Sequence, residues 1–388
     1  MRIVDIRDAT IRLQGEMANA VVSFADHTVS LVAIVTDQIQ QHHPVVGFGF
    51  NSIGRYAQSG ILRERMTPRV LAAPEQDLLT ADASRFDPAA VAQIAMRNEK
   101  PGGHGDRAAA LGALELAVWD LNAKLADEPA YATIARDTGG EPANVSVPVY
   151  AAGGYYYDDD SLARLQQELQ AYREQGFDAF KIKIGGAPLD EDRHRIDAAL
   201  EVAGDGAHLA VDANGRFDLA QALEYANALA PLKLRWFEEP GDPLNYALNN
   251  ELTQAYGQPL ATGENLFSVA DLDNLVAYGG MRPAMDIFQM DAGLSYGLTE
   301  YTQMLDLLER KGYFRSHCYP HGGHLINLHI AAGLGLGGCE AYPGVFQPFG
   351  GYSDACQVEH GLVRPSDAPG FGLEQKLELR PHLEALAS

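Results

Sequence analysis

Three acidic residues, Asp212, Glu238 and Glu264, stand 26 residues apart, each at the end of a short apolar run. Carboxylates are hard oxygen ligands, and three of them converging on one point would hold a divalent cation such as Mg2+. Lys183 precedes this set, and Asp291 and His321 follow it. A lysine beside a carboxylate held on a cation can take the hydrogen from the adjacent carbon. A histidine whose second ring nitrogen faces an aspartate can serve as acid or base on the opposite side. His317 and His324 lie in the same segment, and Asp291, one predicted strand earlier, favours His321 over both. The chemistry expected is removal of a proton beside a carboxylate.

Such residues need a scaffold that brings distant segments to one place. A spacing of 26 is about one strand, loop, helix and loop of a (β/α)8 barrel, whose parallel strands all point their C-terminal ends at one face. From about Val147 the chain reads as short apolar strands alternating with helices. The strands are VPVYAA, AFKIKI, LAVDAN, RWFEE, LATGE, IFQMD, a run reaching Pro320 and His321, and GGCEAY. Between them the pattern predicts helices over Leu162 to Gln175, with Ser161 as N-cap and Gly176 as stop, and over Leu219 to Leu229, with Asp218 as N-cap. In AFKIKI, period two puts Lys181 and Lys183 on the barrel interior and Phe180, Ile182 and Ile184 outward. Two neighbouring ammoniums removed from water are expected to have lowered pKa values.

Before the barrel, residues 1 to 55 read as an antiparallel meander, and residues 105 to 126 as a helix with one buried stripe at Leu111, Leu114, Val118, Leu121 and Leu125. Two domains follow: an α+β unit over 1–130 and a barrel over 131–354, with the boundary near the loop TGGEPAN.

The whole chain has 388 residues, 46% of them hydrophobic and 21% charged, with a formal net charge of -23. That charge disfavours nucleic acid and acidic membrane surfaces, so an anionic substrate would depend on a metal and lysines to reverse the potential inside one cleft. No apolar run reaches the roughly 18 residues of a membrane span. The N-terminus lacks a secretory core, so a cytoplasmic location is expected. Cys318, Cys339 and Cys356 form no CxxC pair and read as reduced structural residues.

With Lys181 and Lys183 in KIK, Asp212 in VDANG, Glu238 in EEP, Glu264 in TGEN, then Asp291 and His321, the chain resembles the mandelate racemase-like branch of the enolase superfamily. The resemblance covers the whole chain and implies a (β/α)7β TIM-type barrel with an N-terminal α+β capping domain, to which the tail 355–388 returns. The longer stretches FNSIGRY, NEKPGGHG, AAGGYYY, KIKIGGAP, VDANGRF, TGENLFS, YGGMRP, PHGGH and GLGLGG followed by EAYP are similar to the tartrate-dehydrating members of that branch. The resemblance implies Mg2+ on Asp212, Glu238 and Glu264, Lys183 as base with Lys181 beside it, and His321 with Asp291 as the opposing acid. Asn19, Asn51, Lys100, Tyr155, Asn214, Glu340 and Tyr342 then contact substrate or frame its pocket.

The expected function is dehydration of an acid sugar or hydroxy diacid, a lyase reaction. The expected partners are a small anionic hydroxy acid and further copies of the chain. A racemase or epimerase, or a dehydratase of another acid sugar, is the neighbouring alternative. A barrel glycosidase using Asp212 and Glu238 without metal, and a binding protein on a catalytic fold, are the distant ones. The run Asp158 to Asp160 departs from the resemblance and reads as a solvated loop.

Overall fold

Alternating and continuous apolar runs at the N-terminus become β1 (Ile3–Arg12), β2 (Thr28–Gln40) and β3 (His43–Phe50), an antiparallel sheet in the order β1-β2-β3. The structure is a computed structural model and describes residues 1–15, 17–139, 145–157 and 161–388. The Asp158 to Asp160 run and residues 140–144 of the TGGEPAN loop lie outside the described residues.

The helix Gly105–Leu125 packs on β2 and β3. The sequence predicts one buried stripe, but every residue from Ala108 to Ala123 is buried. Its composition allows this, because much of the circumference is alanine, glycine or leucine. One side sits so close to β3 that a methyl group on Gly47 would stand 2.3 Å from the Ala117 carbonyl oxygen, and one on Gly49 2.4 Å from that of Ala113. The other side meets the barrel: a methyl on Gly112 would stand 2.7 Å from the Ser295 carbonyl oxygen.

Glu115, buried in the same helix, accepts from Leu298 N at 2.8 Å, Thr299 N at 3.0 Å, Thr299 Oγ1 at 2.5 Å and Trp119 Nε1 at 2.8 Å. It thereby caps the helix Leu298–Arg310, whose own N-cap residue Gly297 has no side chain for the task.

The barrel runs through β4 (Val147–Gly153), β5 (Phe180–Lys183), β6 (Leu209–Asp212), β7 (Phe237–Glu238), β8 (Leu260–Thr262) and β9 (Ile287–Phe288), each parallel to the next, and β10 (Cys339–Ala341) pairs with β4 to close it. The seventh stave, predicted as a strand, is reduced to one parallel bridge between Phe288 and Cys318. Its segment leaves the ladder early, through a single 3-10 turn before it and the loop to His321 after it.

The helix Leu162–Glu174 has Ser161 accepting from Arg164 N, and Leu219–Leu229 begins with Asp218 and Gln221 in a reciprocal capping box. β11 (Val358–Glu359) and β12 (Leu362–Val363) form a hairpin against β4. The last helix, Arg380–Ala387, packs on the first sheet, where Arg7 donates to the Leu386 carbonyl at 2.7 Å. The interior of the barrel is filled by Tyr150, Ala179, Ala210, Trp236, Ala261 and Ile287, a packed layer and not a pore. Among the described residues no helix is long and apolar enough to cross a membrane.

Candidate active site

On the inward face of each strand the layer above that plug is charged, because period two carries the pattern upward: Ala179 to Lys181 and Lys183, Ala210 to Asp212, Trp236 to Glu238. Parallel register sets Lys183 beside Asp212 and Asp212 beside Glu238. Glu264 follows β8 by two residues, Asp291 follows β9 by three, and His321 follows the Cys318 bridge by three. All therefore reach the C-terminal mouth.

Asp212, Glu238 and Glu264 each bring a carboxylate oxygen within 4.8 Å of the others. Lys183 Nζ stands 2.5 Å from Asp212 Oδ2, and Asn214 N donates to Asp212 Oδ1 at 2.8 Å. Burial raises the Asp212 pKa, but Lys183 and Lys181 outweigh it and hold the carboxyl below its usual range. Burial and the neighbouring Asp212 push Glu238 up to about 8. Burial and Glu264 push Glu239 well above the carboxylate range. Acids crowded in this way fit a hard divalent cation, which would relieve their repulsion and accept oxygen donors only. Asn214 Oδ1, buried and without a hydrogen-bond partner, adds one more oxygen nearby.

Lys181 differs from its expected state. Its Nζ lies 2.6 Å from Glu238 Oε1 and 2.7 Å from Glu340 Oε1. Burial lowers its pKa, yet Glu238 and Glu340 outweigh burial and raise it well above the usual ammonium range. Counting only the two lysines missed the carboxylates that the neighbouring staves aim at them.

Across the mouth, His321 Nδ1 is 3.1 Å from Asp291 Oδ2, while Nε2 lies 3.1 Å from Tyr342 Oη and 3.5 Å from Glu264 Oε2. Burial lowers the imidazole pKa, but Glu264 and Asp291 overcome that and hold it up to about 9. His324, its rival in sequence, is instead pushed down to about 4 by burial, and its Nε2 pairs with Ser52 Oγ at 2.9 Å. His317 is partly exposed in a 3-10 turn before the bridge, away from the mouth.

A cavity of about 310 Å³ opens over these groups, and Lys183, Glu264, His321, Asn214, Tyr155, Tyr342 and Asn19 all line it. The Tyr155 ring centre is 5.3 Å from Lys183 Nζ. Asn19 Oδ1 accepts from Val21 N and Val22 N at 2.8 and 2.7 Å, shaping the turn that covers the cavity. Glu340 lies one layer lower, its Oε2 accepting from Gly322 N at 2.9 Å.

Asn51 is fully buried and lies outside the cavity lining. Its Oδ1 accepts from Ser30 N at 2.6 Å and its Nδ2 donates to the Arg55 carbonyl at 3.1 Å, so it holds the loop carrying Ile53, Gly54 and Arg55. Lys100 is exposed before the helix Gly105–Leu125, and it too is outside the lining.

Residues that sequence reasoning passed over complete the wall and the layer that supports it. Glu239, at φ +37°, leaves the strand alternation directly after Glu238 and accepts from Asn265 Nδ2 at 2.9 and 3.0 Å. Arg55 donates to Asn265 Oδ1 at 2.6 Å. Trp236 Nε1 and Gln289 Nε2 donate to Glu238 Oε2 at 2.9 and 2.7 Å. The second glutamate of EEP and the asparagine of TGEN were the available signals, since each adjoins an expected metal ligand.

A TIM-type barrel with a capping domain and an acid triad at its mouth defines a class. Residues 164–379 match the family described as Enolase C-terminal domain-like, and the chain belongs to it, within the enolase and mandelate racemase superfamily. It is 26% identical over 384 residues to arabinonate dehydratase of Saccharolobus solfataricus, covering 95% of this chain and 96% of that one. It is 31% identical over 285 residues to 3,6-anhydro-alpha-L-galactonate cycloisomerase of Streptomyces coelicolor, covering 70% of each. Among solved structures, a racemase from Streptomyces coelicolor with bound magnesium shares the fold at a TM-score of 0.79, with 24% identity over 99% of both chains. L-talarate/galactarate dehydratase from Salmonella typhimurium, liganded with Mg and L-lyxarohydroxamate, does so at 0.78, with 22% identity over 97% of this chain and 90% of that one.

Proposed function

We propose that the chain is an Mg2+-dependent hydro-lyase that dehydrates a small hydroxy acid, with D-tartrate, converted to oxaloacetate and water, as the leading substrate. The observation that carries this reading is one cavity flanked by Lys183 on the second stave and the His321 and Asp291 pair on the seventh and sixth, with the acid triad at its base. The Mg-liganded dehydratase that shares the fold supports the same choice of metal.

Asp212, Glu238 and Glu264 would hold Mg2+, and the chemistry it would supply there is Lewis-acid polarisation of the substrate carboxylate, which would make the neighbouring hydrogen removable. Lys183 Nζ takes that α-proton, and the electron pair left on carbon forms the double bond as the β carbon–oxygen bond breaks. His321, with Nδ1–H given to Asp291, presents Nε2 to the cavity and protonates the departing hydroxyl, which leaves as water. The enol so formed tautomerises to the 2-keto acid. The volume of about 310 Å³ is at the small end for ligand sites and suits a substrate of few carbons.

A racemase or epimerase would use the same two residues to exchange protons at one carbon. The test is a panel of aldonic, aldaric and tartaric acids with Mg2+, read by 2-keto acid formation and by proton NMR in deuterium oxide. Water loss from a tartrate supports the reading, and absence of 2-keto acid from every tartrate isomer overturns the substrate. Deuterium in recovered substrate of inverted configuration, without water loss, would replace the dehydratase by an epimerase.

A further inference from the structure

Among the described residues three basic side chains line the cavity, and two of them are committed. Lys183 is held by Asp212, and His321 by Asp291 and Tyr342. The third is Arg55, partly buried in the loop after β3.

Arg55 is bonded only to neutral acceptors: NH2 to Asn265 Oδ1 at 2.6 Å and NH1 to the Gly54 carbonyl at 3.0 Å, with the guanidinium 5.1 Å from the Phe267 ring centre. Among the described residues no carboxylate oxygen lies within 4.0 Å of it. In a chain of net charge -23, a half-sheltered guanidinium with unused N–H donors and no anion is a receptor that the protein itself leaves open.

Its placement is also controlled. Asn51 holds the Arg55 carbonyl, Ser52 N donates to the Gly293 carbonyl at 3.3 Å, and Ser52 Oγ pairs with His324, so the loop is bolted to the barrel beside Asp291. A methyl group built on Gly54 would stand 3.8 Å from His321 Cε1, so the residue before Arg55 forms the wall facing that imidazole. On its other side the guanidinium bonds the residue adjoining Glu264.

We infer that Arg55 is the receptor for a second carboxylate and makes the site selective for short dicarboxylic hydroxy acids over monocarboxylic ones. The inference rests on the proposed dehydratase reading and narrows its substrate class. Asn265 acts as the positioning residue, since its amide is fixed by Glu239 on one side and orients the guanidinium on the other.

Binding and turnover are measured separately, so that the two readings can fail separately. Isothermal titration of the Mg2+-loaded protein compares succinate with its half-amide succinamate, which have the same length and differ by one carboxylate. The wild type is expected to prefer succinate. Arg55→Met is expected to weaken succinate by about 30-fold, from loss of a partly desolvated charge pair, and succinamate by less than about 3-fold. Arg55→Lys should recover part of the succinate affinity without the forked geometry, and it replaces Arg55→Met if that variant does not fold. Equal binding of the two ligands by the wild type, or equal losses on both in either variant, overturns the assignment of Arg55. Failure of the wild type to form a 2-keto acid from any hydroxy acid in the panel overturns the dehydratase reading instead.

Discussion

Lys181 and Lys183 stand on the same face of one strand, roughly 7 Å apart along the barrel, yet they belong to different regions. At the lower level Lys181 pairs with Glu340 and with Glu238, and Glu340 also accepts from the Gly322 amide; Glu238 joins the two levels, its Oε2 held by Trp236 and Gln289 while it belongs to the acid triad above. At the upper level capacity is left over: Asn214 Oδ1 lacks a partner, Glu239 and Glu264 crowd each other, and Arg55 faces neutral groups. A buried ionic network whose charges are balanced holds shape, whereas one with unbalanced charge is built for something that arrives. The difference separates scaffold from site within a single pair of like residues.

The sharpest break of that contrast is at the upper lysine. Lys183→Ala should lower turnover by about 10⁴-fold while Mg2+ affinity changes only a few-fold, checked by α-proton exchange in deuterium oxide and by metal titration; retained turnover removes Lys183 from the base role. His321→Asn should slow 2-keto acid formation by about 10³-fold while exchange at the α carbon continues. Equal loss of exchange and elimination would mean that the two sides of the cavity do not divide the work.

At the lower level the effect should appear in stability. Lys181→Met leaves Glu238 and Glu340 buried without their counter-charge and should cost about 3 kcal/mol in urea unfolding; an unchanged midpoint would show that the lower network is not scaffold.

The smallest effect lies outside both levels, at His329. Burial pushes this imidazole down to about 3, and Tyr131 N donates to its Nδ1 at 3.3 Å. The folded protein refuses a proton that the unfolded chain accepts below about 6.5. Its contribution to stability is therefore complete above pH 6.5 and is lost as pH falls toward 3. Between pH 6.5 and 5 the wild type should lose about 2 kcal/mol more than His329→Phe, measured as the difference between their urea midpoints; parallel pH profiles would deny it.

Much of the upper level was legible in the sequence, because parallel strands convert regular spacing into convergence at one face. Asp212, Glu238 and Glu264 could be chosen on spacing together with their place at the ends of apolar runs, and Asp291 singled out His321 from two neighbouring histidines. Contributions that depend on how the capping loops fold over the mouth were not legible. Asn51 and Lys100 read as contacting substrate or framing its pocket; Asn51 holds the loop that carries Ile53, Gly54 and Arg55, and Lys100 is exposed outside the lining. Arg55 went unread because its meaning lies in having no acidic neighbour, a property of space and not of sequence. The elevated pKa of Lys181 was hidden for the same reason, since its carboxylates come from staves four and eight.

The helix Gly105–Leu125 is closed on one side by β3 and on the other by the turn after Asp291. In chain order those walls are far apart: β3 ends at Phe50, before the helix, and the turn follows Asp291. During synthesis the first wall precedes the helix, while the second emerges only after most of the barrel has been made. For that interval the nascent chain carries an alanine- and leucine-rich surface with nothing yet to cover it. Chaperone demand should therefore be set by the rate at which the first six staves are translated.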